Sequence, residues 1–276
     1  MGVKKRNKIG QCRLCLNNTT LLDSHLIPAG AYNLARNGGP QALVMMTRTN
    51  TFTSTNETRA YMLCASCEDL LNRNGEKYTI SNLKVSKRDF PLRSLLRSAP
   101  NALLANDPKT STSLYAATGV NGIDVEQLEY FALSVFWRGA IEGWSRYKPI
   151  KLNRYREELR QYLLSPAPRR LSNSVAMFLL VHADDVQIRN MIFPHSNRMV
   201  GEWIHEFRIP GLTCQMHIGH GVPARPGISA GCFLQTRNII ITPDAPSFNH
   251  MVGLQLSKSK IANGLMRPTP SNPTAP

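Results

Sequence analysis

The sequence predicts an α+β protein in three parts, and three observations carry the prediction. Two C-x2-C pairs, Cys12/Cys15 and Cys64/Cys67, bracket most of the first 80 residues. A long apolar segment with a capping signal follows Asn121-Gly122. Past Ser165-Pro166-Ala167-Pro168 the apolar spacing changes from helical to alternating. The expected parts are a zinc-stapled, ββα-like module over 1–80, a linker and helical core over 81–168, an antiparallel β domain over 169–256 and a disordered tail over 257–276.

The first part rests on thiolate chemistry. A two-residue knuckle turns both of its sulfurs to one side, and two knuckles supply the four soft ligands of tetrahedral zinc. Such a site is coordinatively closed, so it holds the fold and leaves any chemistry to neighbouring residues. Residues 12–28 read as knuckle, turn and returning strand. Ala29 to Arg36 reads as a short helix ended by Asn37-Gly38-Gly39-Pro40, and 41–58 as a strand-like insertion, most simply a hairpin that covers the module. Cys64 to Arg73 reads as a helix closed by Asn74-Gly75, and Glu76 just past it is a further carboxylate near the site, which surface solvation explains as well as function does.

In the second part, residues 80–122 are mixed and punctuated by proline. Asp124 with Gln127 three residues on is capping-box-like, and the apolar residues from Leu128 to Trp144 cover more than one face, as expected of a central core helix running towards Pro149. Within it, Arg138 is expected to bridge Glu142 at i+4, with a phosphate contact as the alternative. Residues 153–164 form a second, amphipathic helix. In the third part, 174–182, 188–193, 207–218 and 232–242 read as strands parted by Asp-, Pro- and Gly-rich turns, Pro194 to Asn197 among them. His217 and His220 would point to opposite faces of a strand, which argues against a second metal site there.

Between the knuckles stands Ser24-His25-Leu26-Ile27-Pro28, and with it residues 10–80 resemble the HNH endonuclease family in its zinc-bearing treble-clef form. They also look like a group of bacterial HNH-like proteins with SH-I-P, with C-x2-C-E on the helix, and with an S-x-x-W-R helix downstream, matched here by Ser134, Trp137 and Arg138. The resemblance implies a metal-dependent endonuclease that hydrolyses phosphodiester bonds, with DNA the favoured substrate. It makes His25 the general base and Glu68 the acidic ligand of a catalytic divalent metal, Mg²⁺, Mn²⁺ or Ni²⁺. Two positions depart from the family: its metal-binding carboxylate falls on Ser24, and its frequent asparagine on Arg59. A metal would therefore rest mainly on Glu68, helped by Asn72 one turn later. Independently of the resemblance, a histidine on a short strand that ends in proline has the near-neutral pKa and rigid mounting of a base, features that equally suit a histidine hydrogen-bonding its own hairpin.

The net charge of +15 favours a polyanionic partner, and fifteen Lys/Arg against six Asp/Glu in residues 1–100 place most of the excess beside the cysteines. Lys4, Lys5 and Arg6 form a basic arm that, with Arg59, is the candidate nucleic-acid contact. A solvated basic face is the plainer alternative. Six cysteines, four of them assigned to zinc, suit a reducing, cytoplasmic compartment rather than a disulfide scaffold. The arm has no apolar run behind it, and no segment of the chain has membrane length. A non-catalytic zinc module that binds nucleic acid and a protein-interaction scaffold are the competing readings.

Overall fold

The computed structural model describes residues 8–36, 43–46, 50–85, 89–107, 112–117, 120–165, 171–172, 174–182, 191–220, 222, 239–242 and 260–261. The arm carrying Lys4, Lys5 and Arg6 and most of the 257–276 tail lie outside them.

The chain is mixed α+β, with antiparallel pairing dominant in two sheets. The smaller sheet joins β1 (Lys8–Gln11), β2 (Asn18–His25) and β5 (Arg59–Cys64) in the order β1-β2-β5. Leu21 of β2 stands opposite Cys64, and His25 opposite Arg59. Helix α1 (Ala29–Arg36) follows β2, and α2 (Ala65–Leu71) follows β5 directly.

Asn74-Gly75 does not end that helix. A π-helical turn, Asn72–Glu76, carries it into α3 (Lys77–Leu83). The glycine serves packing: a Cβ on Gly75 would meet Phe131 N at 2.7 Å and Gln127 O at 2.9 Å. Both atoms belong to α5 (Val125–Gly139), so the π turn lies against the backbone of the core helix. Asn74 caps nothing; its amide donates to Leu70 O at 2.9 Å. As expected, α5 starts on the Asp124 cap, which accepts from Gln127 N at 3.0 Å, and most of its residues are buried. It stops well short of Pro149. Ile150 N and the Tyr147 hydroxyl both reach Gly139 O, and Trp144 Nε1 donates to Arg138 O at 2.9 Å, so the last carbonyls are satisfied by the chain that turns back.

Among the described residues the larger sheet has ten strands, and it draws on every part of the chain. Its centre is antiparallel: β9 (Met191–Met199), β10 (Glu202–Ile209), β11 (Leu212–Ile218) and β8 (Val175–Val181). The hairpin β3 (Leu43–Met46) and β4 (Asn50–Ser54) joins it through a parallel β3–β9 pairing. At the other side β12 (Ile239–Thr242) runs parallel to β8 and pairs with β7 (Thr112–Ala116), which pairs with β6 (Leu103–Asp107). Lys260–Ile261, in the segment expected to be disordered, forms β13 beside β4.

Two readings of the β region are corrected. Residues 207–218 are not one strand: Pro210-Gly211 turns the chain between Ile209 and Leu212, with Gly211 at φ 86°. Pro194 to Asn197 do not interrupt a strand but lie within β9. Between the pairs Ile192–Arg208 and His195–Glu206, two residues of β9, Phe193 and Pro194, stand opposite one of β10, Phe207, and this bulge takes up a proline that cannot donate to the ladder. Phe207 packs edge-on against Phe131 and Phe136, which fixes α5 to the sheet. Among the described residues the remaining α-helices are α4 (Pro91–Arg97) and α6 (Tyr155–Leu164). No helix among the described residues is long and apolar enough to cross a membrane.

Candidate functional site

The two knuckles meet because β2 and β5 pair. The first turn is held by Cys12 N donating to Asn17 O and Leu16 N to Cys12 O, both at 2.9 Å. The second lies where β5 becomes α2, so Cys64 precedes the helix and Cys67 falls in its first turn. All four sulfurs lie within 4.8 Å of one another, with Cys15 and Cys64 at 3.9 Å. Tetrahedral zinc with ligands at about 2.3 Å needs sulfurs about 3.8 Å apart. The cluster can therefore hold a metal such as zinc. A hydrogen bond from Cys67, with further ones from the backbone, holds the Cys12 thiol below its ordinary range against the effect of burial, while the same contact and burial push Cys67 up. Four thiolates so close together suit a dication, which accepts them all. Arg160 of α6 donates to Leu14 O at 2.6 Å and ties the first knuckle to the helical core.

Next to this cluster is a cleft of about 370 Å³. His25, Pro28 and Ala29 face Glu68, Asp69, Asn72 and Glu76 across it, and Arg138 also lines it. Leu26 and Ile27 are fully buried and Leu26 N donates to Thr58 O, so the end of β2 that presents His25 is firmly mounted. His25 Nε2 is 2.7 Å from Glu57 Oε2. Glu57 also receives Arg36 and Arg59, each at 2.6 Å. Burial opposes the charge on Glu57, but the hydrogen bonds from Arg59, Arg36 and His25 win and hold it at about 2. Burial likewise lowers His25, more than Glu57 raises it, so the ring is neutral at pH 7. An ionised Glu57 accepts the Nε2 proton, which leaves Nδ1 with the lone pair.

Opposite, Arg138 is 2% exposed and does not bridge Glu142 as expected. Its Nη2 lies 2.6 Å from Glu76 Oε1 and 3.5 Å from Glu68 Oε2. Glu76 is thus no solvated surface group; burial pushes its carboxyl up, only partly offset by Arg138. Arg138 Nε and Nη1 and Glu68 Oε1 are buried without a hydrogen-bond partner among the described residues.

The structure therefore brings together His25, Glu68 and the four cysteines. Arg59 is placed at the back of the His25 site, paired with Glu57 and Asp23. Ser24 is turned into the sheet: its hydroxyl accepts from Leu63 N at 3.2 Å and donates to Leu22 O at 3.3 Å. Glu57, which holds His25 here, is a residue that sequence reasoning did not single out. It lies 32 positions from His25, and only the β2–β5 register brings the two together. No family model, curated protein or solved structure matches this chain.

Proposed function

We propose that the chain is a metal-dependent, HNH-like endonuclease that hydrolyses nucleic-acid phosphodiester bonds, DNA being the favoured substrate. In this reading the N-terminal module is a treble clef stapled by one structural zinc. The observation that carries it is the cleft beside the cysteine cluster, where a neutral, carboxylate-oriented histidine faces a buried arginine and two glutamates. His25 Nδ1 takes the proton from the attacking water while Glu57 holds the ring and stabilises the imidazolium that forms. The unpartnered donors of Arg138 suit a phosphate oxygen. Glu68, whose Oε1 lacks a hydrogen bond among the described residues, would hold a divalent ion in this cleft with Asn72 and Glu76 beside it, and such an ion would supply charge stabilisation to the phosphoryl oxygens and the leaving group. The test is cleavage of plasmid DNA with Mg²⁺, Mn²⁺ and Ni²⁺ by wild type and His25→Ala. Cleavage lost in the variant, with zinc content and DNA affinity retained, supports the reading. Equal cleavage by both overturns the assignment of His25.

One observation favours the second reading, a non-catalytic zinc module that binds nucleic acid. Ser24, at the family's carboxylate position, is 2% exposed and committed to the sheet, while Arg138 already neutralises Glu68 and Glu76. Salt-sensitive DNA binding without cleavage under any of the three metals selects it.

A further inference from the structure

A second cleft, of about 440 Å³, lies between the β9–β10 turn, the exit of β11 and the chain entering α6. It shares no lining residue with the His25 cleft. Its shape is set by close backbone approach: at Gly219, φ 153°, a Cβ would lie 2.8 Å from Glu202 Cα. Lys151, Arg154 and Arg198 are exposed on its rim. The lining carboxylate, Glu202, is buried and turned towards His217, its Oε1 3.5 Å from Nδ1. The rim is therefore cationic.

The lining is also aromatic. Trp203 is half-buried with the Arg198 guanidinium 5.8 Å over its ring, whereas Trp137 and Trp144 are core residues at 1% and 6% exposure. Arg154 lies 4.9 Å over the Tyr155 ring. Deeper, His205 is 1% exposed, and its Nδ1 is 2.8 Å from Ser196 Oγ. Burial, with His195 and His217 nearby, lowers His205 to about 4, so it meets a ligand as a neutral imidazole. Inorganic anions need only the rim cations. A stacking ring and a neutral hydrogen-bonding group suit a heteroaromatic base.

We propose that this cleft binds a nucleotide, with its base against Trp203 and His205 and its phosphate on Lys151, Arg154 and Arg198. The same chemistry is offered by a free nucleotide or by one nucleotide of a single strand. Calorimetric titration of the full-length protein without divalent metal, against adenosine and uridine 5′-monophosphate, a five-nucleotide DNA strand and inorganic phosphate, tests it. The mononucleotides should bind saturably and phosphate far more weakly. Trp203→Ala should weaken nucleotide binding about tenfold and Trp203→Phe much less, since stacking needs only a π face. Arg198→Glu, on the exposed rim, should weaken it without disturbing the fold. Trp203 and Arg198 line no part of the His25 cleft, so weakened binding in these two variants assigns the nucleotide to this site and not to the nuclease cleft. Tighter binding of the strand than of the mononucleotides assigns the site to a strand, and equal binding to a free nucleotide. Absence of binding at millimolar nucleotide, phosphate binding as tight as nucleotide, or unaltered binding by Trp203→Ala and Arg198→Glu would each overturn the proposal.

Discussion

His25 Nε2 and Glu57 Oε2 lie 2.7 Å apart, and the same carboxylate holds Arg36 and Arg59. In the proposed nuclease this pair would make the imidazole a directed base instead of a freely rotating one. Glu57→Gln removes a charge that raises the His25 pKa, so the acid limb of the cleavage rate should move to lower pH. Loss of orientation should at the same time lower kcat by about 10² or more. A kcat–pH profile of the variant checks both. A limb that stays in place would mean that another group titrates there.

The same network makes a stability prediction. Glu57 is depressed from 4.5 to about 2 on folding, so its contribution is present above pH 4.5 and is lost as pH falls towards 2. The shift corresponds to about 3 kcal/mol at most. His25 acts in the same sense: with a folded pKa below 6.5, it favours the unfolded, protonated chain as pH drops below that value. Thermal melts of wild type against Glu57→Gln should therefore differ most near neutral pH and converge in acid.

What could be read from the sequence was local. The cysteine pairs declare themselves because a knuckle needs a fixed spacing, and Asp124/Gln127 because a cap spans three residues. Pro210-Gly211 was an equally local turn signal, masked by the apolar residues on both sides of it. Gly75 was misleading for a different reason: a glycine that stops a helix and one that admits a neighbouring helix look alike in one dimension. Pro194 read as a break because the bulge that accommodates it exists only against β10. The ten-strand sheet, with its parallel β3–β9 and β12–β8 pairings, depends on long-range contacts that no window of sequence contains.

Zinc content follows from the sulfur geometry. The protein purified without chelator should carry one zinc per chain by elemental analysis. Cys64→Ser should lose it and unfold the module formed by β1, β2, β5 and α2, because binding energy of about 10–16 kcal/mol at such sites is also folding energy. Retention of a full equivalent by the variant would place the metal elsewhere.

Gly75→Ala probes the coupling between the cysteine module and α5. Its Cβ would stand 2.7 Å from Phe131 N, so the π turn and the core helix must separate. A cost of about 1–3 kcal/mol is expected. Glu76, the next residue, should lose its contact with Arg138, and any cleavage should fall with it. Hydrogen exchange across α5 measures the first effect directly.

Arg138 and Glu76 provide the final prediction, because buried charges cost least when paired. Arg138 is 2% exposed, and removing it strands Glu76 and Glu68 as like charges in one cleft. Arg138→Met should therefore destabilise by about 3–5 kcal/mol. Glu76→Gln leaves the guanidinium with Glu68 alone, at 3.5 Å, and should also destabilise, though less. The double variant removes both halves of the close pair and should recover a large part of the loss, so denaturant melts of the four proteins should give a coupling energy of about 1–3 kcal/mol. Activity should not follow stability. In the proposed nuclease a phosphate would take the two guanidinium nitrogens that are unpartnered among the described residues, so the double variant should be folded and inactive. A folded double variant that still cleaves DNA would reduce Arg138 to a structural counter-ion and leave the chemistry to His25 and Glu68.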